Sequence, residues 1–241
     1  MRRMIVVLLM VPFVLAGLAS DTFAKRPHSR RIWTFELSPY FWFAGVSGDI
    51  AADGQSESID FSASDMWDFK TWAMNLHGEG KKGNLSLLLD FRLTRNDQEQ
   101  DSTRVEMNSW RVEGGVAYHM EYGFEVLGGV RFMDANIDLK EAGLTTRSAG
   151  DNWVDPFVGA RYAYEFIRDW RFLLRGDVGG FGVGSDFSWN AFVGVDYFVV
   201  NVAFFAGYRA WGVKYSSGSG DDFFKYDLIQ SGLGLGMTFF L

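Results

Sequence analysis

The sequence predicts an all-β chain: a transmembrane antiparallel up-and-down β-barrel of about ten strands, with eight or twelve as the neighbouring counts. Three observations predict it. Apolar and polar residues alternate with a period of two along nearly every segment. The connections alternate between short turns and long polar loops. After the first residues, no run of about 18 apolar residues occurs that would make a membrane helix.

The first residues stand apart. Arg2 and Arg3 precede an apolar stretch from Met4 to Leu18, and small residues follow. This is the layout of a secretory signal peptide, with cleavage after Ala19 or Ala24. The expected division is 1–24 as signal and 25–241 as one barrel domain. The chain has no cysteine, which excludes disulfides and thiolate chemistry. Its net charge is -7, and no basic stripe suggests a nucleic-acid partner.

The alternation is clearest in "NLSLLLDFRLTR". Leu85, Leu87, Leu89, Phe91 and Leu93 share one face, and Ser86, Asp90, Arg92 and Thr94 share the other. Trp33, Phe35, Leu37, Phe41 and Phe43 likewise oppose Thr34, Glu36, Ser38 and Tyr40. Val154, Val158, Tyr162, Tyr164 and Phe166 oppose Asp155, Gly159, Arg161 and Glu165. Trp170, Phe172, Leu174 and Val178 oppose Arg171, Arg175 and Asp177. The last strand sets Ile229, Leu233, Leu235, Met237 and Phe239 against alternating glycines.

The same pattern would fit a secreted sandwich. Strand length argues for the membrane, since ordinary strands run to about five or six residues and these are longer. So do aromatics near predicted strand ends, expected as interface girdles: Trp33, Trp42, Phe124, Trp153, Phe166, Trp170, Trp189 and Tyr197. Predicted strands lie near 32–45, 71–80, 84–95, 103–120, 124–138, 153–166, 170–179, 187–199, 201–215 and 224–241. An even count puts both termini in the periplasm. "VSGDIAADGQSESIDF" reads as a further hairpin turning at Asp53-Gly54, and "SASDMWDF" as a short helix capped by Ser62 or Ser64.

With the apolar face on lipid, the lumen receives Asp90, Arg92, Arg111, Glu113, Arg131, Asp155, Arg161, Arg175, Asp177 and Arg209, joined by Glu36, Glu125, Glu165 and Asp196. Interleaved arginines and carboxylates satisfy one another in a narrow interior. They either fill and fix the barrel or line the constriction of a narrow pore. Inward glycines, Gly159, Gly194, Gly207, Gly232, Gly234 and Gly236, leave room for the arginines or for an inserted loop.

Sites for chemistry are weak. His28 lies in the N-terminal tail, and His77 and His119 precede short turns with no metal motif around them. Asp60, Asp65 and Asp68, with Trp67 and Phe69, form an acidic loop that binds a cation, caps the barrel mouth with its aromatics or is simply solvated. "GDVGGFGVGSDFSW" lacks the Lys-Ser/Thr and helix of a phosphate loop, and one imperfect copy does not make a calcium repeat. It reads as a rim turn built by Gly179, Gly180, Gly182 and Gly184, with Ser185 and Asp186 capping it. No cofactor and no metal site is expected.

"SPYFWFAGVSGDI", "WVDPFVGARY", "GDVGGFGVGSDFSW" and "GYRAW" resemble a widespread group of porin-like outer-membrane β-barrel proteins of Gram-negative bacteria, along essentially the whole mature chain. The resemblance implies outer-membrane location and a barrel fold, and supplies no catalytic residues. Barrels of that membrane commonly end in an aromatic residue; this chain ends Phe239-Phe240-Leu241. The expected partners are outer-membrane lipid, the barrel-assembly machinery and a small solute or ion. The functional expectation is a structural barrel or a narrow passive pore. A barrel that binds through its outside loops and an outer-membrane hydrolase are the alternatives.

Overall fold

The computed structural model describes residues 32–52, 55–62, 72–100, 103–141 and 146–241. Eleven strands form one antiparallel sheet. They are β1 (Thr34–Ala52), β2 (Gln55–Phe61), β3 (Trp72–Lys82), β4 (Leu85–Gln100), β5 (Thr103–His119), β6 (Phe124–Glu141), β7 (Arg147–Ile167), β8 (Trp170–Gly179), β9 (Phe187–Val199), β10 (Val202–Ser217) and β11 (Phe224–Phe240). The last strand pairs with the first from Glu36↔Phe240 to Ala51↔Lys225, so the sheet closes.

Ten strand positions make the wall. The lower part of β1, Thr34–Tyr40, pairs with β3, and its upper part, Val46–Ala52, pairs with β2. β2 and β3 thus share one side of β1, and the hairpin expected around Asp53-Gly54 rises above the barrel without adding a crossing. Closure matters because an open edge in lipid would leave unpaired backbone groups. The signal segment and the expected short helix lie outside the described residues.

Outward apolar residues form a band around the wall. It includes Phe35 and Phe41 on β1, Leu85, Leu87 and Leu89 on β4, Val126 and Val130 on β6, Val158 and Phe166 on β7, and Leu233 and Leu235 on β11, all exposed. Trp33, Phe124, Phe166, Trp170 and Tyr197 are exposed at its short-turn edge. Trp42 and Trp153 depart from the expected girdle: they are 2% and 5% exposed and point into the barrel.

Most strands outrun the band. A tilted membrane strand needs about 9–11 residues, whereas β6 has 18 and β7 has 21. Part of what reads as long polar loop is therefore strand, although 180–186 and 218–222 remain outside the strands. "NDQEQDS" is mostly the paired ends of β4 and β5, from Asn96↔Met107 to Gln100↔Thr103.

Above the band the amphipathic pattern inverts. On β6 the outward side reads Val126, Val130 and Phe132, then Asp134, Asn136 and Asp138. Its inward side reads Glu125 and Arg131, then Met133, Ala135, Ile137 and Leu139, all buried. The same change occurs on β1, where Phe41 and Phe43 give way to Ser47 and Asp49 outside while Val46 and Ile50 are buried inside. It recurs on β10 and β11, with Lys214 and Lys225 outward and Val213, Tyr215, Tyr226 and Leu228 buried. Water replaces lipid as the outside solvent, so the apolar face turns inward. These residues, with Trp42, Trp153, Trp211, Phe61 and Phe224, make one continuous core. Trp153 stacks on Tyr215 with centroids 4.0 Å apart and planes 9° apart.

Candidate functional site

Beneath the apolar core, at mid-depth, sits a belt of charge. Cross-strand register builds it: Asp90 is the partner of Glu113, Glu113 of Arg131, and Arg131 of Asp155. Asp177 is the partner of both Gly159 and Asn190 on its two neighbours.

The centre of the belt holds two cations and two carboxylates. Arg131 donates from Nε to Glu113 Oε2 at 3.0 Å and from Nη2 to Asp177 Oδ1 at 2.7 Å. Arg175 donates from Nε to Asp177 Oδ2 at 2.9 Å and from Nη2 to Glu113. Asn190 adds a bond to Asp177 at 2.9 Å. Arg131 also lies 4.9 Å from the centroid of the Phe157 ring. Both carboxylates and Arg131 are buried, so these charge-assisted bonds act where water competes little.

Around this centre the network is less symmetric. Arg209 donates from Nε to Asn190 Oδ1 at 2.7 Å and from Nη1 to the Tyr40 hydroxyl at 2.7 Å. Tyr40 in turn donates to Asp90 Oδ2 at 3.4 Å. Arg92 and Arg111 stack over the indoles of Trp42 and Trp211, at 4.1 and 5.0 Å from the ring centroids.

Asp155 corrects the expected grouping. Its carboxylate is taken up by the rim turn and not by an arginine: the Ser185 backbone N–H and the Ser185 hydroxyl each donate to it at 2.7 Å. Ser185 is fully buried as a result. The turn itself has left-handed φ at Gly180 (85°), Phe181 (53°) and Gly182 (73°). A Cβ on Gly184 would meet Val154 O at 2.4 Å and Asp155 Oδ1 at 2.8 Å, so close approach to β7 requires glycine there. Gly179 is buried beside it, and Asp186 donates its backbone N–H to Lys214 O at 2.9 Å.

Below the belt a cavity of about 780 Å³ extends to the short-turn rim at Tyr122 and Gly123. Arg161 grips Glu79 with both Nη atoms, at 2.8 and 2.7 Å, and reaches Glu125 through Nε at 2.6 Å. Lys81 donates to Glu36 at 2.9 Å, and Arg171 holds Asp196 through Nε at 2.9 Å. His77 lies 3.5 Å from Asp90 and 3.7 Å from Glu79, and His119 lies 3.2 Å from Glu125. Glu165, at the rim, is exposed. The expected room for arginines is instead used by rings at three of these glycines, with Phe205 against Gly236 and Phe192 against the other two. A Cβ on Gly194 or Gly207 would lie 2.7 or 2.6 Å from the Phe192 ring.

Several lumen residues escaped the sequence reading. Glu79 stands on the same face as His77, but Gly78 and Gly80 interrupt the alternation around it. Asn75, Tyr40 and Asn190 carry no charge and so gave no signal beyond their parity. Of the acidic loop, Asp65, Trp67, Asp68 and Phe69 lie outside the described residues. Among the described residues no group of three or more His, Asp or Glu is placed to hold a metal ion.

No family model matches the sequence, and no curated protein matches it. Solved outer-membrane barrels are similar in fold. Ail, the attachment invasion locus protein of Yersinia pestis, is 9% identical over 88% of this chain and 99% of its own, with a TM-score of 0.44. The translocator domain of autotransporter NalP from Neisseria meningitidis is 9% identical over 86% of this chain and 88% of its own, with a TM-score of 0.49. The transport unit of AIDA-I from Escherichia coli is 10% identical over 90% and 93%, with a TM-score of 0.46. Closure, the apolar band and the strand pattern of the chain itself make it an outer-membrane β-barrel.

Proposed function

We propose that this barrel is a non-conducting anchor that presents a rigid outward platform for binding a partner at the surface of a Gram-negative cell. It reaches the membrane behind a cleaved signal peptide and is inserted by the barrel-assembly machinery. It has no catalytic role.

The inversion of the amphipathic pattern carries this reading. A pore mouth is lined by groups that water can wet, whereas here buried Ile137, Leu139, Val213, Trp153 and Tyr226 fill the outer part of the interior. A dry core gives the extension a fixed shape, which a recognition surface needs and a passive channel does not. Paired charges on its flanks support the same use. Arg104 bonds Asp97 at 2.8 Å, Lys140 bonds Glu106 at 2.6 Å, and Lys225 bonds Asp49 at 2.9 Å. The belt of ion pairs supports a structural role for the lumen, because its central arginines and carboxylates satisfy one another.

Planar-bilayer recording of the purified, folded protein tests the reading. The wild type is expected to give no channel steps above the bare-lipid baseline. Arg131→Ala and Arg175→Ala are expected to stay silent as well, since the apolar core above them remains. Regular conductance steps in the wild type that change in either variant would establish a narrow pore and overturn the proposal.

A further inference from the structure

Arg92 and Arg111 stand directly opposite each other as Cα partners on β4 and β5. They are 3% and 1% exposed. Like charges in that position repel, and a guanidinium does not give up its proton inside a protein. Such a pair needs negative charge close by.

The described residues supply little of it. Arg92 donates from Nε to Asn75 Oδ1 at 3.0 Å, and its Nη1 and Nη2 have no hydrogen-bond partner among them. Nε, Nη1 and Nη2 of Arg111 are likewise unpartnered, with Asp90 Oδ1 3.7 Å from Nη2. The buried indole N–H of Trp211, whose ring lies against Arg111, is unpartnered too. Arg209 adds a third cation, linked to Asp90 through Tyr40. Asp90 is the carboxylate that contacts this group, through Arg111 and, by way of Tyr40, Arg209, while Glu113 nearby is held by Arg131 and Arg175. Arg131 and Arg175, in the same lumen, have Glu113 and Asp177 between them, so the excess is local.

The donor set also says what kind of guest fits. Among the described residues, the buried unpartnered side-chain atoms are the N–H groups of Arg92, Arg111 and Trp211 and one acceptor, Asp90 Oδ1, which lies near Arg111. Six unpartnered donor atoms against one unpartnered acceptor favour a guest that accepts over water, which must also donate. An anion only accepts, and it supplies the missing charge.

We propose that Arg92, Arg111 and Trp211 form a buried site for a small monovalent inorganic anion, with the chemistry of a halide. The cavity below stops at neighbours of these residues, Trp42 against Arg92 and Asp90 near Arg111, and is the route assigned to the ion. This site is independent of whether the outer platform binds a partner.

Bromide is the probe. The full mature chain is folded and crystallised in sodium bromide, and anomalous scattering at the bromine edge is mapped. The expected result is a peak within hydrogen-bond reach of Arg92, Arg111 and Trp211 Nε1. In parallel, thermal unfolding is followed as bromide replaces gluconate at constant ionic strength. The wild-type midpoint is expected to rise and saturate, and the rise to vanish in Arg111→Met, which removes a cation along with its need for the ion. If Arg111→Met fails to fold, the anomalous map of the wild type decides alone. Ordered water at the site, or bromide found only as an adventitious surface ion, overturns the proposal.

Discussion

Glu113→Ala is expected to destabilise the folded barrel by about 3–5 kcal/mol, the usual effect of removing one partner from a buried ion pair. Glu113 is 1% exposed and accepts from both Arg131 and Arg175. Without it, two guanidinium groups share Asp177, and an arginine cannot relieve the excess by losing a proton. A urea titration followed by tryptophan fluorescence reads the loss as a lower midpoint. Glu113→Leu combined with Arg131→Met is expected to recover much of it, leaving Arg175 with Asp177. A Glu113→Ala midpoint equal to wild type would mean that the belt is hydrated and its pairs contribute little.

Ile137→Asp is expected to cost at least about 3 kcal/mol, because an acid there enters an apolar core without a partner. Ile137 is fully buried, and its inward neighbours on β6 are Ala135 and Leu139. The adjacent Asn136→Asp faces water; it loses an exposed 2.9 Å bond to Asp134 and is expected to cost no more than about 1 kcal/mol. The contrast between adjacent positions follows from strand parity. In a barrel with an aqueous outer lumen, the two substitutions would cost about the same.

The membrane half of the fold was legible in the sequence because lipid imposes a simple rule. Leu85, Leu87, Leu89 and Phe91 can only face outward, which leaves Asp90 and Arg92 inside. The outer half follows the opposite rule: residues 133–138 fall within a predicted strand, but one lipid-facing parity assumed along its whole length hides the reversal. "FMDANIDLK" shows how the signal could have been found: Met133, Ala135, Ile137 and Leu139 keep strict period two, but on the opposite parity to Val126, Val130 and Phe132. Trp42 and Trp153 were misplaced for a related reason. An aromatic near a predicted strand end looks like a girdle residue, whereas these two sit on inward parity. Within the belt, parity identified the charged residues but not their partners. The role of Asp155 in holding Ser185 depends on how the turn after β8 folds back over β7. That is a tertiary contact across 30 positions of sequence, with no local trace.

Single-cysteine labelling along β6 tests the central claim most directly, and a chain without cysteine suits it. Residues from Asp134 to Leu139 would be replaced one at a time and exposed on intact cells to a charged, membrane-impermeant maleimide. Cysteines at Asp134, Asn136 and Asp138 are predicted to react, and those at Ala135, Ile137 and Leu139 to be protected. Equal labelling on both parities would reveal water inside the outer half and contradict the sealed barrel described above.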